Sequence, residues 1–190
     1  MSLTPQGGPT NFMLVSHMNN AFGNPKGFAS KIDWNRIAKQ SLNVADELAE
    51  TFVALGADKA KAKAAAAAFK QTLEQLRQEG VDAGTPVHDN GVRDGLSDIH
   101  VFAYGAHHLM GIDADRDLSS VIDGVMTRFI KDEKDKQATI LLHASNGVTD
   151  VYFEGEYPAM IMKSGSDQPD APKGKFLKSA SYTDTVFYAT

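Results

Sequence analysis

The sequence predicts a mainly α protein: an antiparallel four- to five-helix bundle with a small C-terminal β-hairpin and a basic tail. Three observations predict it. Apolar residues recur at spacings of three and four through most of residues 11–131, in segments separated by glycine- and proline-rich breaks. The links are short, as at Gly111 to Asp113, which favours antiparallel neighbours. After Ala138 the texture changes to two short apolar runs around Gly155, the pattern of a hairpin. The chain therefore divides into a helical bundle at residues 1–137 and a hairpin with C-terminal extension at 138–190, packed on the bundle.

Residues 1–9, with Gly7, Gly8 and Pro9, read as a loose leader. Thr10 or Asn11 caps a short helix over residues 11–21, with Phe12 and Val15 inward. The run GNPKG at 23–27 breaks it. A long helix follows at 31–55, with Asp33 as an alternative cap. Val44, Leu48, Thr51, Phe52 and Leu55 form its expected buried stripe. Gly56 ends it. The next helix spans 58–80, where Phe69, Leu73 and Leu76 give a thin apolar stripe suited to packing or dimerisation. A turn-rich link leads to a helix over 88–110, and then to one from Asp113 or Asp115 to about Lys131, with Leu118, Val121, Ile122, Val125 and Phe129 inward. The run KDEKDKQ at 131–137 reads as a solvated helix end or loop. Strands are expected at 151–153 and 159–162, before the polar loop GSDQPDAPKGK.

Composition narrows the function. The chain has 190 residues, 42% of them hydrophobic and 23% charged, as expected of a folded protein with a core. A net charge of −5 argues against a nucleic-acid partner, which selects a basic surface. No cysteine is present, which excludes disulfides and thiolate metal sites and fits a reducing cytoplasm. No apolar run approaches the roughly 18 residues of a membrane span. The N-terminus has no signal-peptide core. A cytoplasmic protein without a membrane partner is expected.

Two acidic stretches stand out. On the helix over 31–55, Asp46, Glu47 and Glu50 spell D-E-x-x-E. At about 100° per residue, Glu47 and Glu50 fall on a stripe beside the apolar one. Two acids three apart can share a cation, whereas bare acids that close repel. An isolated E-x-x-E is usually a solvated face; the weight here comes from a second acidic pair. Asp94 and Asp98 are four apart on the helix over 88–110. If the two helices face each other antiparallel, the four acids converge into an oxygen cage suited to Mg²⁺ or Mn²⁺. Zinc is disfavoured, since no Cys or clustered His accompanies them. The C-terminal GKFLKSASY holds Lys175, Lys178 and Tyr182. Its lysines either neutralise a polyphosphate or are ordinary tail charges.

Taken together, these stretches resemble the all-α NTP pyrophosphohydrolases, the MazG-like and phosphoribosyl-ATP pyrophosphohydrolase superfamily, and especially its small phage-type members. The resemblance covers most of residues 18–182. MNNAFGNPKG resembles that group's short helix and turn, and DELAETFVALGA its EExxE segment. RDGLSDIHVFAYGAHHLMGID resembles its second acidic helix, VMTRF its S-N-M-[ST]-[KR]-F segment, and KGKFLKSASY its C-terminal segment.

The resemblance implies an oligomeric helical bundle, a homodimer or homotetramer, that holds Mg²⁺ and cleaves a nucleoside triphosphate to monophosphate and pyrophosphate. It assigns Glu47, Glu50 and Asp98, with Asp94, to the metal. Asp46 or Glu47 becomes the base toward water, and Arg128, Lys175, Lys178 and Tyr182 contact the substrate. Two positions depart from the family pattern. Gly95 stands where the second motif has Glu, leaving Asp94 four residues from Asp98, and Val125 replaces an Asn that meets substrate. These departures motivate the alternative, a catalytically inactive nucleotide-binding or scaffold protein of the same fold.

Overall fold

The computed structural model describes residues 10–187, so the leader read at 1–9 lies outside the described residues. The fold is mainly helical. In order come α1 (Asn11–Ala21), α2 (Trp34–Ala54), α3 (Lys59–Asp82), α4 (Asp89–Met110), α5 (Ala114–Met126) and α6 (Glu133–Ser145). Three short strands follow, β1 (Val151–Glu154), β2 (Ile161–Ser164) and β3 (Phe176–Leu177). No described helix is long and apolar enough to cross a membrane.

Six helices replace the expected four or five. The addition is α6, expected as a solvated end or loop at 131–137. Its charged first turn hid a real start signal: Asp132 accepts from the Asp135 amide at 2.8 Å, and Glu133 and Asp135 complement the positive end of the helix. The hairpin is likewise extended. In the antiparallel order β1-β2-β3, Phe153 sits opposite Met162, which in turn sits opposite Leu177.

The chain divides into two compact units, residues 27–105 and residues 1–26 with 106–190. The first unit is built on a helical hairpin. Asp33 caps α2 by accepting from the Arg36 amide at 3.1 Å, and Asp58 caps α3 by accepting from Lys61 at 2.8 Å. Gly56 makes the connection at φ 100°, a conformation costly for any residue with a Cβ. α2 packs on α3. The covered positions are small: Ala45 and Ala49 on α2, Ala62 and Ala66 on α3. The stripe expected to be buried is instead exposed at Val44, Leu48, Thr51, Phe52 and Leu55. It lies beside the face that packs on α3.

The second unit holds the hydrophobic core: Ile130, Val148, Met162, Ala171 and Leu177, with Ile140, Val151, Phe153 and Met160 packed against it. α1 packs on α5, aided by the Asn11 amide donating to Asp115 at 2.6 Å. Phe12, expected inward, is exposed, with the Lys26 ammonium 5.4 Å from its ring. The α5 stripe is covered as expected, with Ile122 and Phe129 buried. Just past α5, Ile130 exchanges backbone hydrogen bonds with Met160, at 2.9 and 3.3 Å, which joins the helical layer to the sheet. The Tyr157 hydroxyl donates to Glu133 at 2.9 Å and ties the hairpin turn to α6. Burial, and then that carboxylate, push the Tyr157 hydroxyl above its ordinary pKa.

An aromatic cluster joins three distant segments of this unit. The Phe129 ring centroid lies 4.7 Å from Phe22 and 5.8 Å from Phe176, and Phe22 meets Phe176 edge-on at 5.4 Å. Phe129 is 1% exposed, so truncation leaves a cavity that its neighbours cannot fill. Phe129→Ala is expected to lower unfolding stability by about 3–5 kcal/mol, read as a lower midpoint in urea with the slope unchanged.

Candidate functional site

The acids of the first unit come from α2 and α4. Asp46 pairs with the Lys70 ammonium of α3 at 2.6 Å. Both partners are partly open to water, so the pair contributes little stability. Glu47 is exposed, and its backbone carbonyl accepts from the Thr51 hydroxyl at 2.8 Å. Glu50 and Asp46 line an open groove of about 760 Å³ together with Lys59 and Lys63. Asp94 and Asp98 are exposed on α4, which does not pack along its length on α2 or on α3. Among the described residues, no three His, Cys, Asp or Glu side chains gather into a group able to hold a metal ion. The structure therefore does not bring the two acidic pairs together.

The basic residues behave differently. Arg128, Lys175 and Lys178 line one cleft of about 570 Å³, with His143, Asn146, Asp170 and Phe176 on its walls. Arg128 and Lys178 are fifty residues apart in sequence, and backbone geometry brings them together. The Ser179 amide donates to the Arg128 carbonyl at 3.1 Å, and the Ser179 hydroxyl donates to the Thr127 carbonyl at 2.8 Å. The Thr183 amide donates to the Thr127 hydroxyl at 3.0 Å. Thr127 is fixed in turn, donating to the Gly124 carbonyl at 2.6 Å. Gly124 is itself buried, and a Cβ there would meet the Thr185 hydroxyl at 2.7 Å and the Thr185 backbone at 3.3 Å, so the tail passes close against this glycine.

Tyr182 organises the cations. Its ring lies 3.7 Å from the Lys178 ammonium and 5.8 Å from the Arg128 guanidinium. Its hydroxyl donates to Asp184 at 2.8 Å. Lys175 donates to the Asp170 carbonyl, which steadies the ammonium at the cleft. The Arg128 Nε is buried and has no hydrogen-bond partner among the described residues. A buried guanidinium nitrogen without an acceptor is costly.

Sequence reasoning missed two residues of this cleft, His143 and Asn146. The His143 Nε2 donates to the Lys178 carbonyl at 2.9 Å and so fixes the strand that presents Lys178. Both sit at the end of α6, the helix the apolar pattern did not reveal. The acidic side chains and the basic cleft thus occupy different units, residues 27–105 and residues 1–26 with 106–190 respectively.

Comparison of the chain with family models, with characterised proteins and with solved structures gave no match in any of the three.

Chemically, the cleft combines a fork of guanidinium donors with two point charges, Lys175 and Lys178, that flank β3, a set suited to phosphate oxygens. Tripolyphosphate is expected to bind the chain in magnesium-free buffer, measured by titration calorimetry. Arg128→Gln should weaken it at least tenfold, the scale of one charge-assisted hydrogen bond of about 1.5–3 kcal/mol. Tyr182→Phe, which keeps the ring under the cations, should change it less than threefold.

Proposed function

We propose that this protein is a magnesium-dependent nucleoside triphosphate pyrophosphohydrolase that releases pyrophosphate and a nucleoside monophosphate. The observation that carries the reading is the basic cleft, which Arg128, Lys175 and Lys178 line together, and the buried Arg128 Nε, which has no hydrogen-bond partner among the described residues. A chain of net charge −5 needs such a local concentration of cations to take up a polyphosphate. The order of the motifs along the sequence supports the hydrolytic part of the reading.

In this reading Arg128 grips phosphate oxygens through its fork, and Lys175 and Lys178 offset charge that grows on the leaving pyrophosphate. Tyr182 holds the two cations of Arg128 and Lys178 from beneath, and His143 fixes the Lys178 backbone. Glu47, Glu50, Asp94 and Asp98 are the residues assigned to Mg²⁺ or Mn²⁺, with Asp46 or Glu47 as the base. Their assignment rests on the resemblance. No three of these acids are gathered among the described residues. A cytoplasmic location, a nucleotide substrate and no nucleic-acid or membrane partner belong to the same proposal.

A second reading is a nucleotide-binding or scaffold protein of this fold that performs no hydrolysis. The separated acids favour it, as do Gly95 and Val125. A panel of NTPs and dNTPs assayed for pyrophosphate with Mg²⁺ and with Mn²⁺ separates the two. Release is expected from at least one nucleotide, with kcat/KM falling by about 100-fold or more in Glu50→Gln. Binding of nucleotides without release from any of them, and indifference to Glu50→Gln, would establish the second reading.

Gly95 supplies an independent check. It lies inside α4, and a Cβ there meets no atom within 4 Å. Gly95→Glu is therefore accommodated, and removing a helix-interior glycine should raise stability by about 0.5–1 kcal/mol. If Asp98 acts on a metal, the added carboxylate three residues earlier should also lower the Mg²⁺ concentration needed for half-maximal pyrophosphate release.

A further inference from the structure

The basic cleft carries one acid among its cations. Asp170 stands on the same walls as Arg128, Lys175 and Lys178. Among the described residues it is also the one non-glycine at positive φ, 53°. Glycine takes that conformation without strain, and aspartate and asparagine tolerate it best of the rest. The chain thus keeps a carboxylate where glycine would serve the backbone better.

The turn that carries Asp170 is built to hold it still. Gln168 and Ala171 exchange amide hydrogen bonds, each at 3.0 Å, with Pro169 and Asp170 between them. The Gln168 carboxamide accepts from the Thr149 and Asp150 amides at 2.8 and 3.0 Å. It donates to the Asp150 carbonyl at 2.7 Å and to the Ser164 hydroxyl at 2.8 Å. Ala171 belongs to the buried core, and Pro169 fixes its own φ.

The Asp170 carboxylate is not consumed by the turn. Asp167, the other acid of this loop, accepts from the Lys173 amide at 2.8 Å. Asp170 receives Lys175 on its backbone carbonyl instead, and none of the described ion pairs includes its carboxylate. A fixed negative charge beside three cations works against a bare polyphosphate. It works for a ligand that brings hydroxyl donors together with its phosphates, since an ionised carboxylate only accepts.

We infer that the cleft selects ribonucleotides, with Asp170 accepting from the sugar hydroxyls while Arg128, Lys175 and Lys178 hold the phosphates. A ribose offers two neighbouring hydroxyls, and the two carboxylate oxygens can accept from both in charge-assisted bonds. A 2′-deoxyribose lacks one of them. Val148, Pro169 and Phe176 add an apolar face for the base, and the cleft volume of about 570 Å³ lies within the roughly 300–1,000 Å³ of small-molecule sites. The inference rests on the nucleotide-binding part of the proposed function and adds the sugar to it. Asp170 acts on specificity and needs no part in hydrolysis.

Titration calorimetry in magnesium-free buffer tests this with ATP, GTP, CTP and UTP, each against its 2′-deoxy counterpart, and with tripolyphosphate as the sugar-free control. At least one ribonucleotide is expected to bind about tenfold or more tighter than its 2′-deoxy form. Asp170→Asn tolerates the same positive φ and leaves the carbonyl for Lys175, so the turn is kept. It should narrow that ratio to less than about threefold, with tripolyphosphate bound as well as before or better. Equal affinity for both sugars in the wild-type chain overturns the inference, as does a ribose preference that survives Asp170→Asn. Either result leaves the pyrophosphohydrolase reading untouched. A ribose preference lost in Asp170→Asn, in a chain that releases no pyrophosphate, sustains the inference and removes the hydrolytic reading. Binding of neither tripolyphosphate nor any nucleotide overturns both.

Discussion

Ser179 holds the larger unit in its working shape. It is 2% exposed, and both its amide and its hydroxyl are spent on the backbone at Arg128 and Thr127. Around it the network continues: the Ala180 amide donates to the Thr139 hydroxyl at 2.9 Å, and the Ser181 hydroxyl to Asp135 at 3.0 Å. Thr139 is itself fully buried and donates to the Asp135 carbonyl at 2.7 Å. A buried polar network of this kind stabilises only when every member is satisfied, and it then permits a single arrangement. That arrangement sets the C-terminal segment against the end of α5. The cations of Arg128 and Lys178, and the tyrosine ring beneath them, are neighbours for that reason. The aromatic contact of Phe22, Phe129 and Phe176 reinforces the same junction from its apolar side.

The two units achieve order by different physics. In the unit of residues 1–26 and 106–190, apolar burial and backbone pairing coincide: Met162 is fully buried, paired with Leu177 in the sheet and packed in the core. In the unit of residues 27–105, helix propensity and caps do more. The alanine run of α3 favours helix without offering much surface to bury, and the alanines of α2 let the two helices approach. What results is a hairpin whose closest packing uses its smallest residues. Its largest residues are left on the side that α3 does not cover.

Much of this was legible in the sequence, because helix periods and caps are local. Asp33, Asp58 and Asp113 mark helix starts as their chemistry predicts, and Ile122 and Phe129 face inward as their spacing requires. Three things were not legible. A period of 3.6 identifies an apolar stripe but not what covers it, so Leu48 and Phe52 read as buried when they are open. The charged run that opens α6 carries almost no apolar pattern, which hid the helix and with it His143 and Asn146. Finally, the union of Arg128 with Lys178 depends on hydrogen bonds between residues about fifty apart, which no local pattern encodes. The resemblance to a family named both residues, and only the structure placed them on one cleft.

Glu47 and Glu50 of α2 relate differently to the open apolar stripe. At about 100° per residue, Glu47 lies on the flank of Leu48, while Glu50 lies nearly opposite and faces the groove shared with Lys59 and Lys63. In water, acids three apart on a helix repel only weakly, since solvent and salt screen them. Covering the stripe would change that for Glu47 first. A partner surface against Leu48 and Phe52 removes water beside it and lowers the local dielectric, which strengthens repulsion from the neighbouring carboxylates. A carboxylate at such an edge either takes up a proton, pairs with a base or accepts a cation. Lys70 is already engaged with Asp46 at 2.6 Å, so that ammonium is not free to serve as the base for Glu47.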